Sequence, residues 1–485
     1  MALSSTQSRF IRLATGAVLS LAVAFINPFQ VDSQANNVLA VATLMITWWV
    51  TEALPMPVVA LFPLIFFPLL KIQTLEAAAA PYANPVIFLF LGGFLLGLAI
   101  EKWNLHKRIA LNIVKITGTS GNRIVLGFIL ATGLLSMWLS NTATTMMMFP
   151  IALSVIHVMK ENNNGRGNVG NFSLTIMLAI AYASNFGGIA TIIGTPPNVA
   201  YVNHISNKYD HSIPFVDWMM ICMPIAILLL ASLYFVMVKW LFPNRIVADA
   251  STRELINNET RALGPLSLAE KRVLVIFCST AFLWIMRGPI NASQSLIKLD
   301  DTIIALLCAV ALFICPSGKQ EKKNDALLEW SDTSKMAWGI LLLFGGGISL
   351  ANALEKVGLI QELGVWLAQF SGNGLVLMVV ICLITIFLSE FMSNVAQVIV
   401  FAPVVSSMAD ALGMNPLMLG IPMTLAASCA SMLPMGTPPN AIVFASGHIR
   451  LNQMTRAGLV MNLVAVVIIC VVCSLVLPLI AGSPE

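Results

Sequence analysis

Two short words break the apolar runs of this chain, and each occurs twice. Ser140-Asn141-Thr142 is followed by Gly194-Thr195-Pro196-Pro197-Asn198, and Ser393-Asn394-Val395 is followed by Gly436-Thr437-Pro438-Pro439-Asn440. Proline removes an amide donor and stops a helix, so a carbonyl before it loses its partner. At membrane depth such backbone is tolerated only where it is buried in protein or lines a cavity. Breaks at corresponding places in two halves point to a transporter's binding site. One break alone reads as a capped kink; four, paired by symmetry, read as a site.

The membrane setting follows from composition. Of 485 residues, 58% are hydrophobic and 10% charged, with mean hydropathy +0.87; a soluble domain has roughly 25% charged residues. Apolar segments suited to crossing lie at 10–27, 37–53, 57–70, 85–105, 172–204 (broken), 218–241, 273–287, 300–316, 337–355, 415–447 (broken) and 458–480. The first of these lacks a small-residue cleavage site and reads as a retained span rather than a signal peptide. Two further stretches, 123–158 and 374–408, are too long for one helix and are split by the Ser-Asn words. Their halves fall short of the ~20 residues that a crossing takes, so re-entrant hairpins are expected. The architecture is an all-α polytopic membrane protein of about eleven spans plus two such hairpins.

Positive charge orients the map, because cytoplasmic loops collect Lys and Arg. With the N-terminus in the cytoplasm, 20 of the 26 Lys and Arg residues face that side. Lys71, Lys208, Arg287, Lys298 and Lys356 face outside, and Lys102 lies within a span. The C-terminus is then outside, the first hairpin opens from the cytoplasm, and the second opens from outside. The chain divides into a first half (1–242), a cytoplasmic linker (243–272) and a second half (273–485), with a further polar cytoplasmic loop at 317–336. Phe90-Leu91-Gly92-Gly93 and Glu101-Lys102 return as Phe344-Gly345-Gly346-Gly347 and Glu355-Lys356 at a spacing of 254; the Ser-Asn words return at 253 and the Gly-Thr-Pro-Pro-Asn words at 242. An odd number of crossings between equivalent elements makes this an inverted-topology repeat.

The words carry neutral ligands. Ser140, Asn141, Thr142, Thr195 and Thr437 bring hydroxyl and amide groups, and Asn198 and Asn440 are placed to cap the restarted helices. Freed carbonyls suit a hard cation such as Na⁺; helix N-termini suit a carboxylate. No Arg, Lys or His lies in any of the four words. A bound anion must then be balanced by co-bound cations and helix N-termini. Glu390 and Glu52 are the notable carboxylates nearby, and a local structural role is expected for both. The eight cysteines sit in or beside apolar runs and the five histidines show no metal-ligand spacing, so neither a disulfide framework nor a metal site beyond sodium is expected. No nucleophile–base pair, metal triad or phosphate loop suggests an enzyme, and nothing suggests a nucleic-acid partner.

These words, with Trp48-Trp49-Val50-Thr51-Glu52-Ala53 and the run from Pro434-Met435-Gly436 to Asn440-Ala441-Ile442-Val443, resemble the divalent anion/sodium symporter family, in particular its bacterial sodium/dicarboxylate members. The resemblance covers nearly the whole chain. It implies a homodimer in the bacterial cytoplasmic membrane, with a scaffold part and an elevator-like transport part. It implies a first sodium site at Ser136, Ser140, Asn141 and Gly194, and a second at Ser389, Met392, Asn394 and Gly436. The dicarboxylate would lie between the tips, against Ser140, Asn141, Thr142, Thr195, Pro196, Ser393, Asn394, Val395, Thr437 and Pro438. Many bacterial members have threonine where Val395 stands, so one hydroxyl donor is missing. The implied activity is sodium-coupled import of succinate, malate or fumarate, with an exchanger or a sulfate or citrate carrier as alternatives, and a sensor or channel further off.

Overall fold

The computed structural model describes residues 5–118, 120–161, 168–210, 213–244, 246, 250–294, 298–318, 326–360, 362 and 374–480. Among the described residues the chain is helical, apart from one isolated bridge between Pro316 and Ala326. Nine helical segments among them are long and apolar enough to cross a membrane. The expected spans at 37–53, 57–70, 300–316 and 415–447 are not among those nine: Ser33–Val50 falls outside them, and Met56–Leu69, Asp301–Ile314 and Leu417–Ser428 are shorter apolar helices. Arg166, Arg245, Lys319, Lys322 and Lys323, assigned above to the cytoplasmic face, lie outside the described residues.

The Ser-Asn stretches are helix pairs. Gly121–Ser136 is followed by Asn141–Glu161, and Gly374–Leu388 by Asn394–Ala411. The first arms have 16 and 15 residues, as expected, but the second arms have 21 and 18 and are long enough to cross. The shortness argument therefore holds for the first arms only. Its error lay in treating the word as a mid-point: Asn141 and Asn394 each open the second helix, so the polar residues cost that helix no length.

The broken helices are also as expected, with wider gaps. Val169–Gly188 ends before the loop 189–195, and Pro196–Tyr209 restarts; Leu417–Ser428 ends before the loop 429–437, and Pro438–Phe444 restarts. Both restarts begin with a Pro-Pro pair, at helix positions whose N–H would have no intrahelical partner anyway.

Helix Val169–Gly188 is the axis of the larger core. Every residue from Phe172 to Gly188 is buried, which requires apolar or small residues on all faces. It packs against Gly121–Ser136, Asn141–Glu161, Phe215–Tyr234 and Pro438–Phe444. Its final glycines permit this, since a Cβ on Gly187 would sit on the Gly133 carbonyl and one on Gly188 on the Asn141 amide. A smaller core gathers Val38, Met45, Trp49, Phe67, Leu343 and Leu350. Val395 and Ile399, at the start of Asn394–Ala411, touch both cores.

The charged elements sit at element ends. Lys102 closes its helix and pairs with Asp332 at 2.7 Å, so it is neutralised locally. The linker contains helix Ala250–Ala262 and is tied down by Arg108, which pairs with Glu270 at 2.9 Å and donates to the Leu263 and Gly264 carbonyls. Glu52 is exposed on a left-handed turn after Ser33–Val50.

Candidate functional site

Each helix pair is pinned at its turn by the same clamp. Ser136 Oγ donates to Asn141 Oδ1 at 2.7 Å, and Ser389 Oγ donates to Asn394 Oδ1 at 2.6 Å. In both, a buried serine from the end of the first arm fixes the amide of the asparagine that opens the second. Ser140 is exposed at the turn, where its hydroxyl accepts from the Ala143 amide at 3.2 Å. Thr142, Met392, Ser393 and Asn394 are half-buried beside the turns.

The two loops are braced from within. Asn198 Nδ2 donates to the carbonyls of Thr191 (2.8 Å), Gly188 (3.3 Å) and Ile189 (3.4 Å). Asn440 Nδ2 donates to those of Leu433 (3.1 Å) and Ala430 (3.3 Å). These asparagines do not cap the restarted helices, as the sequence suggested. They sit inside the first turn, and their side chains fold back to hold the carbonyls that the break released. The cap at the second restart is Thr437, whose Oγ1 accepts from the Asn440 amide at 3.4 Å. Asn198 Oδ1 and Asn440 Oδ1 are buried without a protein partner.

Each loop then meets its own tip. Thr191 Oγ1 donates to the Met137 carbonyl at 2.5 Å, and Gly194 packs so closely that an added Cβ would strike the Gly188 and Met137 carbonyls. In the second half the loop again donates to the tip, but to a carboxylate. Glu390, 1% exposed, accepts at Oε1 from the Ser431 and Met432 amides and from Asn462 Nδ2, each at 2.8 Å, and at Oε2 from the Leu433 amide at 2.9 Å. Ser389 Oγ shares its one proton between Asn394 Oδ1 and the Ala427 carbonyl, 2.5 Å away, and a Cβ on Gly436 would lie 2.8 Å from Glu390 Oε2. Glu390 is thus a brace, which is the structural role expected of it.

The halves are joined by a residue that sequence reasoning missed. Asn185 Oδ1 accepts from Asn141 Nδ2 at 3.4 Å, while its own Nδ2 donates to Thr437 Oγ1 at 3.2 Å and reaches the Ala430 carbonyl at 3.5 Å. A signal was present, since a lone amide in the run Met177–Gly188 is the sort of intramembrane polar residue that marks function. Asn462 in the last helix carries the same signal.

The structure thus brings Ser136, Asn141 and Gly194 together at one tip, and Ser389, Asn394 and Gly436 at the other. Thr195 and Thr437 are buried, Pro196 is half-buried and Pro438 is exposed. Val395 departs from the set, because its side chain packs into the two apolar cores. A cleft lies elsewhere, lined by Asn203 and His204, Phe344 and Gly347, and Ile399 and Pro403. Ion pairs lie away from the tips, at Lys102–Asp332, Arg108–Glu270, Lys208–Asp410 and Arg287–Asp301. Among the described residues no group of three or more His, Cys, Asp or Glu is placed to hold a metal.

Comparison with known proteins identifies the family. Residues 7–481 match the model of the sodium:sulfate symporter transmembrane region. The chain belongs to that family. Within it, the chain is 38% identical over 462 residues to the sodium-dependent dicarboxylate transporter SdcS of Staphylococcus saprophyticus, covering 94% of this chain and 89% of that one. It is 37% identical over 480 residues to SdcS of Staphylococcus aureus, covering 98% and 92%. Two solved structures share the fold: the Alcanivorax borkumensis YdaH transporter (TM-score 0.58, 16% identity, 86% of this chain and 88% of that one) and Neisseria gonorrhoeae MtrF, of a class described as antimetabolite efflux pumps (TM-score 0.57, 13% identity, 84% and 83%).

Proposed function

We propose that this family member imports C4-dicarboxylates (succinate, malate, fumarate) across the bacterial cytoplasmic membrane, driven by sodium. The observation that carries the proposal is the repeated Ser–Asn clamp beside a braced, broken helix, built from neutral oxygens and helix N-termini, in a chain 37–38% identical to named sodium-dependent dicarboxylate transporters. Fixed cationic side chains are costly at such depth. Sodium ions held at Ser136, Ser140, Asn141 and Gly194, and at Ser389, Met392, Asn394 and Gly436, supply the positive field. The dianion then meets Ser140, Asn141 and Thr142 on one side, Ser393, Asn394 and Val395 on the other, with Thr195, Pro196, Thr437 and Pro438 closing the pocket. In this scheme the helix pairs are re-entrant hairpins in an inverted repeat. The N-terminus is cytoplasmic and the C-terminus outside. The protein works as a homodimer whose transport part slides as an elevator.

The test is succinate uptake into proteoliposomes. Accumulation is expected with an inward sodium gradient, and undiminished uptake in potassium-only buffer would overturn the proposal. Asn141→Asp, which puts a fixed negative charge beside the anion, is expected to weaken succinate binding while leaving the fold intact. Sulfate is the second reading, favoured by the family's description. Inhibition of succinate uptake by sulfate rather than by malate or fumarate would support it.

A further inference from the structure

Each half has its own clamp, and one side chain touches both the first clamp and the second loop. Asn185 lies one turn before the end of the buried helix Val169–Gly188 and is 1% exposed. One end of its amide accepts from Asn141 of the first clamp, and the other donates to Thr437 of the second loop. Resting on the function proposed above, we infer that Asn185 is a positioning residue that couples occupation of the first sodium clamp to the dicarboxylate-binding hydroxyl of Thr437.

The coupling runs through donors and acceptors. Ser136 holds Asn141 by Oδ1, leaving Nδ2 directed at Asn185. A cation at Asn141 Oδ1 withdraws electron density from that amide and makes its N–H a stronger donor. Hydrogen bonds in a chain polarise one another, so Asn185 in turn donates more strongly to Thr437. A threonine hydroxyl has two acceptor lone pairs and one proton to give. Thr437 Oγ1 already accepts from the Asn185 side chain and the Asn440 amide. With both lone pairs engaged, its proton is left for a ligand oxygen. The loop that carries Thr437 is steadied at Ser431, Met432 and Leu433 by Glu390, so the relay turns a hydroxyl rather than moving a backbone. An amide suits the position because it accepts at one end and donates at the other. Aspartate keeps only the first of these, and leucine keeps neither.

The test measures succinate Kd at low and at saturating sodium in purified protein, and sodium Kd without succinate. If wild-type succinate binding ignores sodium, the function itself fails and the relay has no meaning. If wild type is sodium-dependent, Asn185→Asp is expected to bind sodium as well as or better than wild type, yet to bind succinate at least about fivefold more weakly at saturating sodium, a typical allosteric coupling. A residue that merely packs would not separate the two ligands in opposite directions. Asn185→Leu, or Asn185→Ala should the larger change not fold, is expected to bring the sodium-induced gain in succinate affinity close to onefold. In a Thr437→Val background either change is expected to add little, as for residues in one network. Wild-type coupling in Asn185→Asp, or fully additive losses in the double variant, would overturn the inference.

Discussion

At the first tip, loop and helix pair are joined by a neutral bond, from the Thr191 hydroxyl to the Met137 carbonyl. At the second tip, the position that corresponds to Met137 by the spacing of 253 is Glu390, and its carboxylate accepts three loop amides and Asn462. The clamps above them are alike, with Ser–Asn distances of 2.7 and 2.6 Å, and the internal braces Asn198 and Asn440 are alike too. The two halves are therefore alike at the proposed ion sites and differ in their loop anchors. Hydrogen bonds to an ionised acceptor are roughly twice as strong as neutral ones. The second loop is accordingly the firmer of the two, and the first, held by neutral contacts, depends more on its neighbours.

The largest test of this difference is Glu390→Ala. It strands four buried donors, each costing about 1–3 kcal/mol, and is expected to destabilise the protein by on the order of 4 kcal/mol in thermal unfolding in detergent. A loss no greater than that of Thr191→Val would erase the contrast. Next come Asn198→Leu and Asn440→Leu, each expected to cost about 2 kcal/mol for the carbonyls left unpaired. The two should match, because this brace is common to both halves; a gap of several kcal/mol between them would break the symmetry. Thr191→Val removes a single neutral bond and is expected to cost about 1 kcal/mol, seen as a small fall in melting temperature. Val395→Thr keeps the side chain's shape but puts a hydroxyl where Val395 packs against both apolar cores, and is expected to cost about 1 kcal/mol. Its visible effect should be a changed ranking of succinate, malate and sulfate in uptake competition.

The smallest effect lies away from the tips. Burial raises the Asp332 carboxyl, but the hydrogen bond from Lys102, the Glu329 amide and the Lys102 charge outweigh it and hold the group below its usual value. A depressed native pKa contributes stability above the unfolded value, about 3.9 for aspartate, and that contribution is lost as pH falls through the lower native value. Asp332→Asn is therefore expected to cost up to about 1 kcal/mol near neutrality, as for partly exposed pairs. The gap to wild type should close as unfolding is measured at pH values below 4. A gap that persisted there would rule out Lys102–Asp332 as its source.

Much of the architecture could be read directly from the chain. Gly-Thr-Pro-Pro-Asn announced a broken helix because proline cannot continue one, and both breaks are present. The clamp residues Ser136, Asn141, Ser389 and Asn394 were carried over from the family resemblance, and their fixed five-residue spacing brings each pair together across a turn. The lengths of the second arms were misjudged, since a word that opens a helix looks the same in sequence as one that splits it. The roles of Asn198 and Asn440 were misassigned for a related reason. Whether an amide caps forward or folds back depends on which carbonyls the loop leaves free.

What the sequence by itself determined was local: where the broken helices stop, and that no fixed cation lies within the words. Those follow from proline chemistry and the side-chain inventory. The tertiary structure alone decided the long-range partners. It set Glu390 on a loop more than 40 positions away, Asn462 behind it, and Asn185 between Asn141 and Thr437. No periodicity encodes such contacts, because they arise only when several buried helices pack and each buried polar group must find whatever partner the packing puts within reach.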